Sequence, residues 1–417
     1  MSMRRKTKTL VRSLIALTVV FLMLVGVGCG TKSAGSGSGS GDKGPIKIGV
    51  IGAFQLAAGK EIQDAAKMAI DEINKNGGIM GRQVEGIYAD TKADPEQGKA
   101  AVEKLLYNDK VNFIIGEHRS EVALAVQPVI MQNKTIYINT GSASPLFSDN
   151  VVKNYDVNKY SFRTFLNSNQ MGEQFLVQLK DLVNTYNFSK IAVVAESAVW
   201  VEPIVKAVKD QFGSKVVLVE RPATTAKDFS IELSKVKDSG AQLIFTLFSA
   251  DQGLIFDRQW SDRQIPALIT GYTVQAQSPD FWQQSEGKAQ GLITWKHGVR
   301  APISDKTIPF WDNFQKIYGR APGPYTGIAT YDAFMVLADA VKKANSLDTD
   351  TVQKALEDNS FVGASGKIKF GKNHDPEVGD DFVPYTFVQW QDGKMVTVGP
   401  AKYKTGDIVF PAWMKKN

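Results

Sequence analysis

The sequence predicts an α/β protein built of two doubly wound parallel-sheet lobes. Three observations predict it. From Pro45 onward, short apolar strands alternate with amphipathic helices, the order that makes a parallel sheet with helices on both faces. The alternation runs to about Asn139 and then starts again. The chain, 417 residues long, exceeds what one small core holds together and suits two.

The elements follow in order. Residues 46–51 form a short apolar strand. In the helix over 60–74, Ile62, Ala66, Ala69, Ile70 and Ile73 recur near helical spacing, and Gly77 and Gly78 stop it. Strand 84–89 comes next, then a helix opened by Pro95 and running to 108. Strand 111–115, helix 122–132 and strand 135–139 complete the first series. The second series reads helix 172–186, strand 190–195, helix 201–212, strand 215–219, helix 229–239, strand 242–248, helix 252–261 and strand 267–270. Beyond it lie helices 308–318 and 326–344 and a short one opened by Asp350. The tail over 361–398 alternates apolar and polar residues among glycines, as β-hairpins do. The architecture repeats while the sequence does not. A cleft between two such lobes is faced by the loops at the strand carboxyl ends.

The amino-terminal segment is of another kind. Arg4, Arg5, Lys6, Lys8 and Arg12 precede an apolar run over 14–27, and Cys29, the only cysteine, closes it before a Gly/Ser stretch over 35–41. This is the pattern of an export signal (1–28) and a flexible tether (29–44), with the apolar run shorter than the roughly 20 residues of a spanning helix. Val27, Gly28 and Cys29 resemble the bacterial lipoprotein cleavage box, which usually has leucine where Gly26 stands, and the resemblance implies a lipid on Cys29 and an extracytoplasmic location. Five of the +6 formal charges lie in the signal (1–28), which has no acid, so the remainder carries 6 − 5 = +1. That balance gives no clustered positive surface for nucleic acid. With Cys29 acylated, disulfides and thiolate metal sites are excluded.

Several runs occur together in a set order: AIDEINKNGGIMGR (69–82), YADTKADPEQGKAAVEKLL (88–106), FIIGEHRSEVALAVQPV (113–129), SASP (142–145), SFRT (161–164), AKDFS (226–230), TYDAF (330–334) and GKIKF (366–370). Their order and spacing resemble the leucine/isoleucine/valine-binding proteins, solute receptors of ABC importers for amino acids and related small molecules. The resemblance implies a type I periplasmic binding protein fold whose hinge the chain crosses three times, near Ser161, Trp295 and Tyr385. Lobe 1 is then 45–160 plus 296–384, and lobe 2 is 161–295 plus 385–417.

Ser120 follows a strand and precedes a helix, so it reads as an N-cap beside free backbone N–H groups, a place that attracts anions. A plain helix cap explains it as well; the resemblance implies that it holds the ligand's α-carboxylate. Ser144 before Pro145 repeats the design. The resemblance implies ligand contacts from this loop through backbone atoms and a hydroxyl. Ala143 stands where threonine is common, so the hydroxyl comes from Ser142 or Ser144 or is absent. Trp200 stands where relatives carry a ligand-covering tyrosine. Phe248 is read either as a ring over the ligand or as core. Tyr272 falls where amino-acid binders have a glutamate for the ligand's ammonium group. Either Asp251 or another acid replaces that glutamate, or the ligand has no free amino group, because a buried unpaired ammonium costs several kcal/mol. The short loop over 54–59 places Phe54 and Gln55 near the cleft, and His118 and Arg119 flank Ser120 as possible donors.

No catalytic set converges. His118, His297 and His374 are scattered without metal-ligand spacing, and no phosphate-cradling loop or nucleophile elbow appears. The expectation is an importer's solute receptor without cofactor or metal, working with ABC permease subunits and binding an amino acid, amide or aromatic carboxylate. A ligand sensor reporting to a membrane kinase or receptor has the same fold and site.

Overall fold

The structure, a computed structural model, describes residues 44–379 and 381–414. The expected export signal and Cys29 lie outside these residues.

The first series forms β1 (Ile46–Gly52), α1 (Ala57–Lys75), β2 (Val84–Asp90), α2 (Pro95–Glu103, continued as a π-helix over Lys104–Asp109), β3 (Phe113–Gly116), α3 (Ser120–Gln132) and β4 (Ile136–Asn139). Two short helices, α4 (Leu146–Lys153) and α5 (Tyr155–Asn158), then lead to β5 (Ser161–Arg163). These strands make one parallel sheet in the order β2-β1-β3-β4-β5. Every residue of β1 but Lys47 is buried, as a central parallel strand covered on both faces requires. β5 differs from expectation: Ser161, Phe162 and Arg163 pair in register with Tyr137, Ile138 and Asn139 of β4. The chain therefore stays with the first sheet past the crossing expected at Ser161.

The second series is α6 (Ser168–Tyr186), β6 (Ile191–Ala195), α7 (Glu202–Phe212), β7 (Val216–Glu220), α8 (Ser230–Ser239), β8 (Leu243–Phe248), α9 (Gln252–Asp262), β9 (Leu268–Thr273) and the single turn α10 (Phe281–Gln284). Its parallel sheet runs β7-β6-β8-β9. Asn167 starts α6 with a reciprocal capping box, its side chain taking the Gln170 N–H while the Gln170 side chain takes its own. β10 (Ile293–Trp295) follows.

The rest of the chain is divided. α11 (Thr307–Tyr318), α12 (Thr326–Ala344) and α13 (Thr349–Asp358) are followed by the hairpin of β11 (Ser360–Gly363) and β12 (Gly366–Lys369). α12 packs along α1 and buries residues on all its faces, so it belongs to the first lobe's core. A second hairpin, β13 (Phe387–Gln391) and β14 (Lys394–Gly399), pairs antiparallel with β10 beside the second sheet. The expected hairpin tail is thus two hairpins in two places. Both parallel sheets reverse strand order beside their first strand, at β1/β3 and β6/β8. Such a switch opens a crevice at the strand carboxyl ends.

Candidate functional site

Gly116 ends β3 at φ +127°, and a Cβ there would lie 2.1 Å from the carbonyl oxygen of Ile51. Only glycine fits this turn, which lifts the next residues over the sheet edge. Glu117 turns inward and is fully buried. It accepts hydrogen bonds from Thr91 Oγ1 (2.7 Å) and from the N–H groups of His118 and Arg119 (both 2.8 Å). Burial pushes its carboxyl above the usual range despite these donors. The N–H groups of Ser120, Glu121 and Val122, in the first turn of α3, have no acceptor among the described residues. They are the donors a helix N-terminus offers to an anion.

Ser120 does not cap this helix. It is the first helical residue, the cap position falls on Arg119, and its Oγ accepts the Ser144 N–H at 3.2 Å. The serine thus joins the loop after β3 to the loop after β4. In that second loop Asn139 orders the chain: its Oδ1 accepts from the N–H groups of Gly141 and Ser142, and its Nδ2 donates to Ser142 Oγ at 2.9 Å. Ser144 Oγ is buried with no partner among the described residues. Of the two hydroxyls considered, Ser144 is the uncommitted one.

The loops of the two sheets meet. His118, Arg119, Ser120 and Glu121 after β3, Gly141 and Ala143 after β4, and Phe165 after β5 form one wall. Trp200 after β6, Ser249 after β8 and Tyr272 of β9 form the other, with Tyr325 at the start of α12 beside them. They enclose a cavity of about 20 Å³, room for about one water molecule rather than an amino acid.

Aromatic rings fill most of the second wall. Tyr272 lies edge-on to Trp200 (5.6 Å between centroids) and Trp295 (5.5 Å), and 5.8 Å from Tyr325. Behind Trp200 and Ser249 is Glu196, fully buried, which accepts from Trp200 Nε1 (2.8 Å), the Ser249 N–H (2.9 Å), Ser249 Oγ and Gln252 Nε2. All four donors are neutral, and Glu196 has no Lys, Arg or His within ion-pair distance among the described residues. Arg119 reaches the same spot from the first wall, its Nη1 donating to Ser249 Oγ at 2.9 Å. His118 is buried with neither ring nitrogen hydrogen-bonded among the described residues, its Nδ1 lying 3.7 Å from the Glu117 carboxylate. Burial lowers it to about 3, so the ring is neutral and offers one donor and one acceptor.

Three expected residues are elsewhere. Phe248 is core: its ring packs with Phe229 (5.8 Å) and Phe256 (5.3 Å) under α8 and α9, because alternation along β8 turns it away from the cavity. Gln55 is exposed and does not line the cavity, since α1 starts as early as Ala57 and leaves the loop too short to reach. Asp251 precedes α9 and lines a separate cleft of about 250 Å³ with Glu61 and Arg320. Glu196, Phe165 and Tyr325 are the contributions sequence reasoning missed. Glu196 had a local signal, an acid directly after an all-apolar buried strand; the other two owe their place to tertiary packing.

Two parallel sheets whose strand ends converge on a small cavity, with polar loops on one wall and aromatic rings on the other, have the two-lobed architecture of a solute-binding protein. The chain belongs to the periplasmic binding protein family, whose model matches residues 45–394. That family consists of substrate-binding receptors of ABC transporters, which are extracytoplasmic and are not enzymes. Among curated relatives, the Leu/Ile/Val-binding protein homolog 2 of Brucella abortus is 26% identical over 346 residues, covering 82% of this chain and 88% of the relative. The leucine-, isoleucine-, valine-, threonine- and alanine-binding protein of Pseudomonas aeruginosa is 28% identical over 329 residues, covering 78% and 83%. Two solved structures share the fold. The branched-chain amino acid transporter substrate-binding protein of Streptococcus pneumoniae, in complex with isoleucine, has TM-score 0.75 at 20% identity, covering 85% of this chain and 100% of that one. A solute-binding protein of an ABC transporter from R. palustris, in complex with benzoate, has TM-score 0.73 at 19% identity, covering 87% and 98%. No described helix is long and apolar enough to cross a membrane.

Proposed function

We propose that this chain is the solute receptor of an ABC importer, taking a free amino acid or a close carboxylate relative into the cleft between its lobes. The lobes are 45–160 plus 296–384, extended by β5 (Ser161–Arg163), and 164–295 plus 385–417. Residues 1–28 direct export, 29–44 act as tether, and a lipid on Cys29 holds the receptor at the membrane beside its permease. One observation carries the choice of ligand. The first wall offers uncommitted N–H donors at the start of α3, and the second holds the buried carboxylate of Glu196 with no cation in direct contact among the described residues, Arg119 reaching it only through Ser249 Oγ. A zwitterion matches both, its carboxylate at Ser120 and the Ser142–Ser144 loop and its ammonium toward Glu196. Glu196 thereby takes the part that Tyr272 does not play, and Trp200 and Tyr272 cover the side chain.

The cavity holds no amino acid as it stands, so the ligand enters when the lobes part and is enclosed when they close. Closure is selected because only the closed form contacts the ligand from both walls. A thermal-shift screen of the full chain against the twenty amino acids and aromatic carboxylates tests this. A true ligand at 100 times its dissociation constant stabilises by about 2.7 kcal/mol. A panel without any shift contradicts the proposal.

A further inference from the structure

We propose that Arg163 is a positioning residue that makes the floor of the cavity accept a carboxylate, by holding the carbonyl oxygens of the Ser142–Ser144 loop away from the ligand; this rests on the cleft being the ligand site. Arg163 is fully buried at the end of β5 and lines no part of the cavity. Its guanidinium fork spans the loop from behind. Nη1 donates to the Ser142 carbonyl at 2.8 Å and Nη2 to the Ser144 carbonyl at 3.0 Å. The carbonyl between them, that of Ala143, is taken by the N–H (2.7 Å) and Oγ (2.8 Å) of Ser168 at the start of α6. All three successive carbonyls are thus committed away from the cavity.

The loop's donors are the complement. The Ser142 N–H goes to Asn139 and the Ser144 N–H to Ser120 Oγ, while the Ala143 N–H has no acceptor among the described residues, and Ala143 lines the cavity. A carbonyl turned into so small a space would oppose a carboxylate and favour a carboxamide or ammonium instead. Arg163 is itself held from the far end of the chain. Asp375 forms an ion pair with its Nε at 2.9 Å and accepts from Ser148 Oγ (2.6 Å) and Asn167 Nδ2 (2.6 Å). Ser148 Oγ also accepts from Arg163 Nη2 at 2.7 Å. The planar fork suits two carbonyls at once, which a lysine's single ammonium does not.

The test compares the natural full chain with Arg163→Lys, Arg163→Met/Asp375→Asn and Asp375→Asn. The double variant removes both buried charges so that neither is left alone. Calorimetry with the twenty amino acids and their carboxamides gives the carboxylate-to-carboxamide affinity ratio. Amide hydrogen exchange at Ala143 and Ser144 reports the loop without any ligand. Arg163→Lys and the double variant are expected to lower the ratio about tenfold or more, with faster exchange at Ser144. Asp375→Asn keeps the fork on both carbonyls and is expected to melt lower while retaining the ratio. A natural chain that binds none of the panel sinks the functional reading, and the exchange data still decide the inference. Unchanged Ser144 exchange in a folded Arg163→Lys chain, or an unchanged ratio, overturns the role given to Arg163. So does an Asp375→Asn chain whose ratio falls as far as that of Arg163→Lys.

Discussion

Arg119, at the start of α3, donates across the cavity to Ser249, at the end of β8, with Nη1 2.9 Å from Oγ. The same hydroxyl donates to Glu196. Ser249 is therefore a relay between a cation of the first wall and an anion of the second, a contact available only with the walls together. Ser249→Ala and Arg119→Met should each weaken the affinity for the bound amino acid by about tenfold, with the double variant little worse than either single one. Faster ligand release in stopped-flow measurements should account for most of the loss. Additive effects would show that the two residues act independently.

Ser120 holds the Ser144 N–H and stands beside three uncommitted amides of α3. Ser120→Ala should cost about ten- to a hundredfold in affinity, as expected for one hydrogen bond to a charged group. It should also lower the melting temperature of the ligand-free chain modestly, because the buried Ser144 N–H loses its acceptor although the helix loses no cap. Calorimetry and thermal melts separate the two effects. A lower melting point with affinity intact would contradict the assigned role.

His297 carries a clear pH consequence. Its ring is stacked on Trp295 (5.8 Å) and edge-on to Phe165 (5.5 Å), with neither nitrogen hydrogen-bonded among the described residues. Burial, reinforced by the neighbouring Lys296 charge, lowers it to about 3. Because the folded value lies below the unfolded one, stability from this residue is complete above the unfolded value of about 6.5 and is lost as pH falls toward 3. Within that window it contributes a slope of roughly 1.4 kcal/mol per pH unit. His297→Phe should fit the aromatic site and make the loss of stability between about pH 6 and pH 4 less steep. Denaturant melts at several pH values check this, and parallel curves for the two chains would contradict it.

Most of the fold was legible because its elements bury regular faces. The stripe Ile62, Ala66, Ala69, Ile70 and Ile73 that marked α1 is buried as a set. β5 escaped notice because three residues, one of them Arg163, carry no strand pattern; what holds them is pairing with β4 and a buried ion pair. The candidate cavity was legible where a strand end meets a helix start, as at Ser120 and Trp200, which both line it. Phe248 shares strand parity with Ile244, and both lie in the apolar cluster away from the cavity, so the alternation of β8 itself carried the answer. The role proposed for Glu196 rests on its burial and its neutral partners, which the sequence does not display. Tyr325 reaches the cavity from a part of the chain remote from both series.

The proposed ligand, a free amino acid, puts its ammonium group toward Glu196. Calorimetry of the natural chain and Glu196→Gln, each with the best-binding amino acid and its deaminated analogue, decides this. The natural chain should bind the amino acid more tightly. Glu196→Gln keeps the shape but removes the charge, and should weaken the amino acid by about tenfold or more while changing the analogue little. Equal binding of amino acid and analogue by the natural chain, or an equal loss for both in the variant, would contradict it.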